Sequence, residues 1–167
     1  MLKFRKILVT TDLSELSAEA FTYAVELSRA IGAEVHLLYS IDDIRSHTYP
    51  VVDQGSETIL RDREKDARMK IRQLLMRSGI DEGRVVVVVR RGQPLREILV
   101  YAGREKIDII IMATHGRSGL SRLVMGSVAE KVVRYAPMPV LTVKPKAVRE
   151  GLLSESEMAL DLRLFAQ

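Results

Sequence analysis

Five short apolar runs, separated by stretches patterned as helices, constrain this chain more than any other feature. Lys6–Thr10 reads KILVT, Val35–Tyr39 reads VHLLY and Val85–Val89 is five valines in a row. Ile107–Ala113 reads IDIIIMA and Val140–Val143 reads VLTV. Unbroken apolar runs of this length predict strands buried on both faces, above all the valine run. Strands that alternate with helices predict a parallel sheet with helices on both faces, joined by right-handed crossovers. In such sheets ligands sit beyond the carboxyl ends of the strands, where the strand order reverses. That directs attention to the segments after the first and fourth runs.

The intervening helices are legible from their ends and spacing. Asp12 and Ser14 are both capping residues, with Glu15 three residues after Asp12. Leu16, Ala20, Ala24, Leu27 and Ile31 then recur at helical spacing up to Gly32. Asp42 to Gly55 has breakers and no period, which predicts a loop. A long helix is expected from Glu57 to Ser78, with Leu60, Ala67, Ile71 and Leu74 inward and Gly79 as its stop. Pro94 opens the next helix, whose apolar face is Leu95, Ile98, Leu99 and Ala102. Ser127 to Tyr135 forms the fourth, ended by Pro137 and Pro139.

A chain of 167 residues, 47% hydrophobic and 29% charged, fits one soluble domain. The domain is expected to span residues 1–145. Residues 146–167 form an extension in which Ser154 to Glu157 and the stripe Met158, Leu162 and Phe165 predict a short helix. The chain has no cysteine, which excludes disulfides and thiolate metal sites. No apolar stretch is long enough for a membrane span, and the start does not read as a signal peptide, so the expected location is cytoplasmic. Net charge is +4, yet the densest basic run, Arg61 to Arg72, interleaves Asp62, Glu64 and Asp66. That reads as a solvated helix face with internal ion pairs. With no Trp and 5% aromatics, no stacking platform supports nucleic acid as a partner.

The chemistry concentrates between Ile109 and Lys144. A strand runs into His115-Gly116, a small-residue loop containing Arg117, Ser118 and Gly119 follows, and Gly126-Ser127 opens a helix. Glycines let a main chain approach a ligand, and the first amides of a helix point at negative charge. The segment therefore reads as a phosphate cradle. Arg117 and Arg122 flank the loop as candidate cations. Asp12 can accept from two adjacent sugar hydroxyls, although a helix cap uses similar geometry. His115 is read as orienting the loop; His36 and His47 receive no role. No His, Asp and Glu cluster has metal-ligand spacing, although Mg2+ could arrive with a triphosphate.

Ala113-Thr114-His115-Gly116, nine residues, then Gly126-Ser127 resembles the nucleotide-binding motif of universal stress proteins: Gly, two residues, Gly, nine residues, Gly, then Ser or Thr. The opening ILVTTDLSE resembles that family's first strand and Asp-bearing turn, and APMPVLTVK its last strand. The resemblance covers roughly residues 3 to 145. It implies a Rossmann-like sheet in the order 3-2-1-4-5 that binds ATP or AMP and dimerises through Val140, Leu141, Thr142 and Val143. Carried over, Asp12 would hold the ribose hydroxyls, while Ser40 and Met112 would lie against adenine. Gly116, Gly126, Ser127 and Val128 would receive the phosphates. Ala113 stands where the motif opens with Gly, and Thr10 where many members have proline; both bear on affinity rather than ligand class.

The expected function is a dimeric sensor or regulatory module with no or very slow turnover, acting through an unnamed downstream protein. The alternatives are a slow ATPase or nucleotidyl-transferring enzyme and an interaction-only stress protein. Catalysis would need a water-positioning group and a cationic clamp, and the chain has no Gly-x-x-x-x-Gly-Lys-Ser/Thr loop. A phosphorylation-type receiver is excluded because the third strand ends Arg90-Arg91-Gly92 rather than in aspartate.

Overall fold

The structure, a computed structural model, describes residues 3–42, 54–114 and 125–146. Five parallel strands, β1 (Lys6–Thr11), β2 (Glu34–Ile41), β3 (Val85–Arg91), β4 (Ile109–Ala113) and β5 (Val140–Val143), form one sheet in the order β3-β2-β1-β4-β5. Among the described residues, four α-helices flank them: α1 (Glu15–Ile31), α2 (Gln54–Ser78), α3 (Pro94–Arg104) and α4 (Ser127–Tyr135). A 3-10 turn, Glu82–Arg84, precedes β3. The architecture is an open, doubly wound Rossmann-like sheet, as the alternating pattern predicts.

The two-residue period of each strand divides the core into two layers. Ile7 and Val9 of β1, Val35 and Leu37 of β2, and Ile109 and Ile111 of β4 face α1 and α2. Leu8, Leu38, Ile110 and Met112 face α3 and α4 with Ile98, Ala102 and Val132. Register follows, with Val9 opposite Leu37 on one side and Ile111 on the other. The strand order therefore reverses between β1 and β4, and their carboxyl ends diverge there.

Four expectations change. The valine run is not buried on both faces: β3 is an edge strand, and Val86 is 41% exposed. A homogeneous apolar run reports strand propensity but not the strand's place in the order. The buried stripe of α1 is Ser17, Ala20, Phe21, Ala24, Val25 and Ser28: it keeps Ala20 and Ala24 of the expected line, leaves Leu27 partly buried against the core, and turns Ile31 outward, 43% exposed. The bulky Phe21 and Val25 decide the rotation of the helix. Helix α2 starts at Gln54, inside the expected loop, and β4 starts at Ile109. The expected terminal helix lies outside the described residues.

Asp108 ties β4 to β1 at the amino edge of the sheet. Its Oδ2 accepts the amides of Arg5 at 2.7 Å and Lys6 at 2.9 Å. Those bonds, Arg5's first, hold its carboxyl below the usual carboxylate range despite some burial. A depressed folded value gives stabilisation that is full above the unfolded value, about pH 4, and lost as pH falls through the folded one. Asp108→Asn is accordingly expected to lower unfolding stability at pH 7 by about 1–2 kcal/mol. In acid, below the folded value, variant and wild type should converge. Urea titrations at both pH values check this, and equal stability at pH 7 would remove the role.

Candidate functional site

The cleft at the reversal point is built first by the turn after β1. Leu13 adopts a left-handed backbone, φ 66°, which a non-glycine residue occupies only when its neighbours compel it. Here they do. The Leu13 amide donates to Thr11 Oγ1 at 2.9 Å, and the Ser17 hydroxyl donates to the Ser14 carbonyl at 2.9 Å. Thr11 Oγ1 and Ser17 Oγ are 2.9 Å apart, so with the Ser17 proton already engaged, the Thr11 hydroxyl is the donor between them. Asp12 Oδ1 accepts from the Ser14 amide at 3.0 Å and its hydroxyl at 2.6 Å. The helix cap is Ser14, whose side chain accepts from the Ser17 amide. Asp12 is thus braced by the cap residue and is not itself the cap.

The opposite wall is the start of α4. Its cap, Gly126, donates its amide to the Thr114 carbonyl at 2.7 Å, docking the helix on the end of β4. A Cβ at Gly126 would meet that same carbonyl oxygen at 3.3 Å, tighter than most side chains tolerate. The first intrahelical bond runs from the Glu130 amide to the Gly126 carbonyl at 3.0 Å. The amides of Ser127, Val128 and Ala129 precede it and so have no carbonyl within the helix. Gly126, read as a phosphate donor by resemblance, instead spends its amide on Thr114, and its lack of a side chain permits the close dock. Ala129 takes its place among the candidate donors.

These walls enclose a cleft of about 780 Å³. Thr10, Asp12, Ser40, Met112, Ala113, Gly126, Ser127 and Val128 all line it, so every candidate residue that is described converges on one space. Gly116, Arg117, Ser118 and Gly119 lie outside the described residues, as do His115 and Arg122. The Ser40 hydroxyl donates to the Gly92 carbonyl at 2.7 Å, which fixes the end of β2 against the turn into α3. Met112, 4% exposed, offers an apolar floor shared with the α3–α4 core. Carboxylates, an apolar floor and helix-start amides in a volume within the usual ligand range suit a small polar ligand with a flat apolar part and an anionic end.

Sequence reasoning missed the third wall. Arg63, Asp66 and Lys70 of α2 line the cleft. Helix α2 is 25 residues long, roughly 37 Å at 1.5 Å per residue, against roughly 25 Å for the longest strand. Its buried residues Ala67, Ile71, Leu74 and Leu75 lie in the second half, so its first turns overhang the carboxyl edge of the sheet. Helix length set against strand length was the available signal. The expected internal ion pairs are present beside this wall, Arg61–Glu57 at 3.3 Å and Arg68–Glu64 at 2.9 Å. Arg91 of β3 reaches both carboxylates, at 3.1 and 3.3 Å. Its hydrogen bond leads in holding Glu57 below the usual carboxylate range, as Arg68's does for Glu64.

Among the described residues, no group of three or more His, Cys, Asp or Glu could hold a metal ion. No described helix is long and apolar enough to cross a membrane.

Known proteins share this fold. The chain is 32% identical over 145 residues to universal stress protein MJ0531 of Methanocaldococcus jannaschii, which covers 84% of this chain and 82% of that one. The structure of universal stress protein UspA from Lactobacillus plantarum superposes with a TM-score of 0.76 at 26% identity, over 86% of this chain and 100% of the other. A universal stress protein in complex with cAMP shares the fold, with a TM-score of 0.62 at 18% identity over 86% of this chain and 98% of that one. The universal stress protein family itself matches residues 3–144, which takes in all five strands, both walls of the reversal-point cleft and the α2 overhang. The chain belongs to the universal stress protein family.

Proposed function

We propose that this protein binds an adenine nucleotide, ATP or AMP, in the cleft between the Asp12 turn and the start of α4. It acts there as a dimeric sensor or regulatory module with no or very slow turnover. The observation that carries the reading is the meeting of a braced carboxylate and three helix-start amides across one cleft. A carboxylate accepts from both hydroxyls of a ribose, and the amides of Ser127, Val128 and Ala129 receive a phosphate along the helix dipole. Met112 and the backbone around Ser40 supply the apolar slot for adenine. The fold, shared with a universal stress protein in complex with cAMP, is one that can hold an adenine nucleotide.

Three or four charge-assisted bonds at about 1.5–3 kcal/mol each, less the cost of association, give roughly micromolar affinity. The test is mass spectrometry of small molecules released from heat-denatured protein. Adenine nucleotide in stoichiometric amount supports the reading; repeated absence, with no heat on titration, favours an interaction-only protein. Steady-state phosphate release is expected to stay at background, and sustained turnover would favour the slow-enzyme alternative.

Dimerisation is assigned to β5. Among the described residues, Val140, Leu141, Thr142 and Val143 form an edge strand of the sheet with Leu141 41% exposed, and Val133 and Tyr135 of α4 are exposed as well. An edge strand with unpaired backbone groups and apolar neighbours favours pairing with a second copy. Leu141→Lys is expected to shift the protein from dimer to monomer in sedimentation equilibrium. An unchanged dimer would move the interface elsewhere.

A further inference from the structure

Helix α2 carries charge on both flanks of its buried line Ala67, Ile71 and Leu74, and the two flanks are used differently. On the β3 side the charges are consumed in pairs: Arg61 with Glu57, Arg68 with Glu64, and Arg91 with both carboxylates. On the cleft side stand Arg63, Asp66 and Lys70, spaced to share one helix face. None of the three forms a hydrogen bond or ion pair with another described residue. Asp66 and Lys70 have the i,i+4 spacing that yields pairs on the other flank, yet they stay apart.

Among the described residues lining the cleft, Arg63 and Lys70 are the basic side chains, and Asp12, Asp42 and Asp66 are the acidic ones. Without those two cations every charged side chain described there would be negative. Lys70 also lines a smaller adjoining cavity together with Thr11 and Leu13, which sets it beside the turn that carries Asp12. The amides of one helix start can satisfy one phosphate; further phosphates need further donors.

We infer that Arg63 and Lys70 form a cationic wall that grips the outer phosphates, making the site select its ligand by phosphate number. This rests on the nucleotide reading of the same cleft. ATP is preferred over AMP, and AMP over adenosine, with Arg63 and Lys70 contributing only where phosphates extend past the α4 amides.

The experiment is calorimetric titration of the full chain with ATP, AMP and adenosine. It compares wild type, Arg63→Gln/Lys70→Gln, and Arg61→Gln/Arg68→Gln from the paired flank, with circular dichroism to check folding. The cleft-side variant should bind ATP more weakly by a factor on the order of ten or more, adenosine unchanged, with AMP between. Its ATP affinity should also fall less steeply with added salt than wild type's. The paired-flank variant should match wild type for all three ligands. Unchanged ATP affinity in the cleft-side variant, or an equal loss for adenosine, overturns the wall while leaving the nucleotide reading intact. A folded wild type silent toward all three ligands overturns both, and is told apart because the failure is already present before any substitution.

Discussion

Replacing Asp12 with alanine is expected to weaken adenine-nucleotide binding by on the order of a hundredfold or more. Two bonds from a carboxylate to ribose hydroxyls are worth about 1.5–3 kcal/mol each, and every 1.4 kcal/mol is tenfold. The substitution also removes the acceptor for the Ser14 amide and hydroxyl, so a stability loss of about 1 kcal/mol should accompany it. Asp12→Asn separates the two effects. An amide oxygen can still accept from Ser14, so stability should recover, while the charge and second acceptor needed for a ribose are gone. Calorimetry and thermal unfolding of both variants supply the comparison. A pair that loses stability but keeps wild-type affinity would reduce Asp12 to a brace for the turn.

The second large effect is on folding. Phe21 is fully buried among Ile7, Val9, Val25 and Leu37, between α1 and the sheet. Truncation to alanine removes its transfer free energy and leaves a cavity that neighbouring strands cannot collapse to fill, a cost of about 3–5 kcal/mol. Against a total stability of about 5–15 kcal/mol, that is a large fraction. The urea midpoint should fall with little change in slope, the mark of lost stability rather than altered compactness. Ile31→Ala, at an exposed position of the same helix, should change it by less than about 0.5 kcal/mol. Similar losses at the two positions would mean that α1 packs through the Leu16-to-Ile31 stripe after all.

What could be read ahead of the structure was the alternation. Five strands and four helices follow from periodicity and stop signals, because burial on both sheet faces demands unbroken apolar runs in β1, β2 and β4. The same argument misjudged β3, since valines satisfy strand geometry whether the strand is central or at an edge. Helix α1 was rotated because spacing alone weighs Leu16 and Phe21 equally, whereas packing rewards the larger ring. Strand order came from the resemblance to a family and not from periodicity.

The site was legible in its residues and less so in their atoms. Every described candidate lines the cleft. Yet the Gly126 amide turns to Thr114, and Ser14 rather than Asp12 caps α1; both depend on which donor faces which acceptor in three dimensions. The α2 wall was hidden because charges at helical spacing look alike whether they meet solvent, each other or a ligand. Only the overhang of a long helix past short strands tells them apart.

The most direct measurement is an amide-resolved NMR titration of the protein with ATP. The resonances of Ser127, Val128 and Ala129 should shift together, saturate at one nucleotide per chain, and lose that response in Asp12→Ala. Gly126, whose amide is already bonded to Thr114, should move less. Saturable binding that leaves those three amides unmoved, or no binding at millimolar ATP, would contradict the claim that the start of α4 and the Asp12 turn together grip a nucleotide.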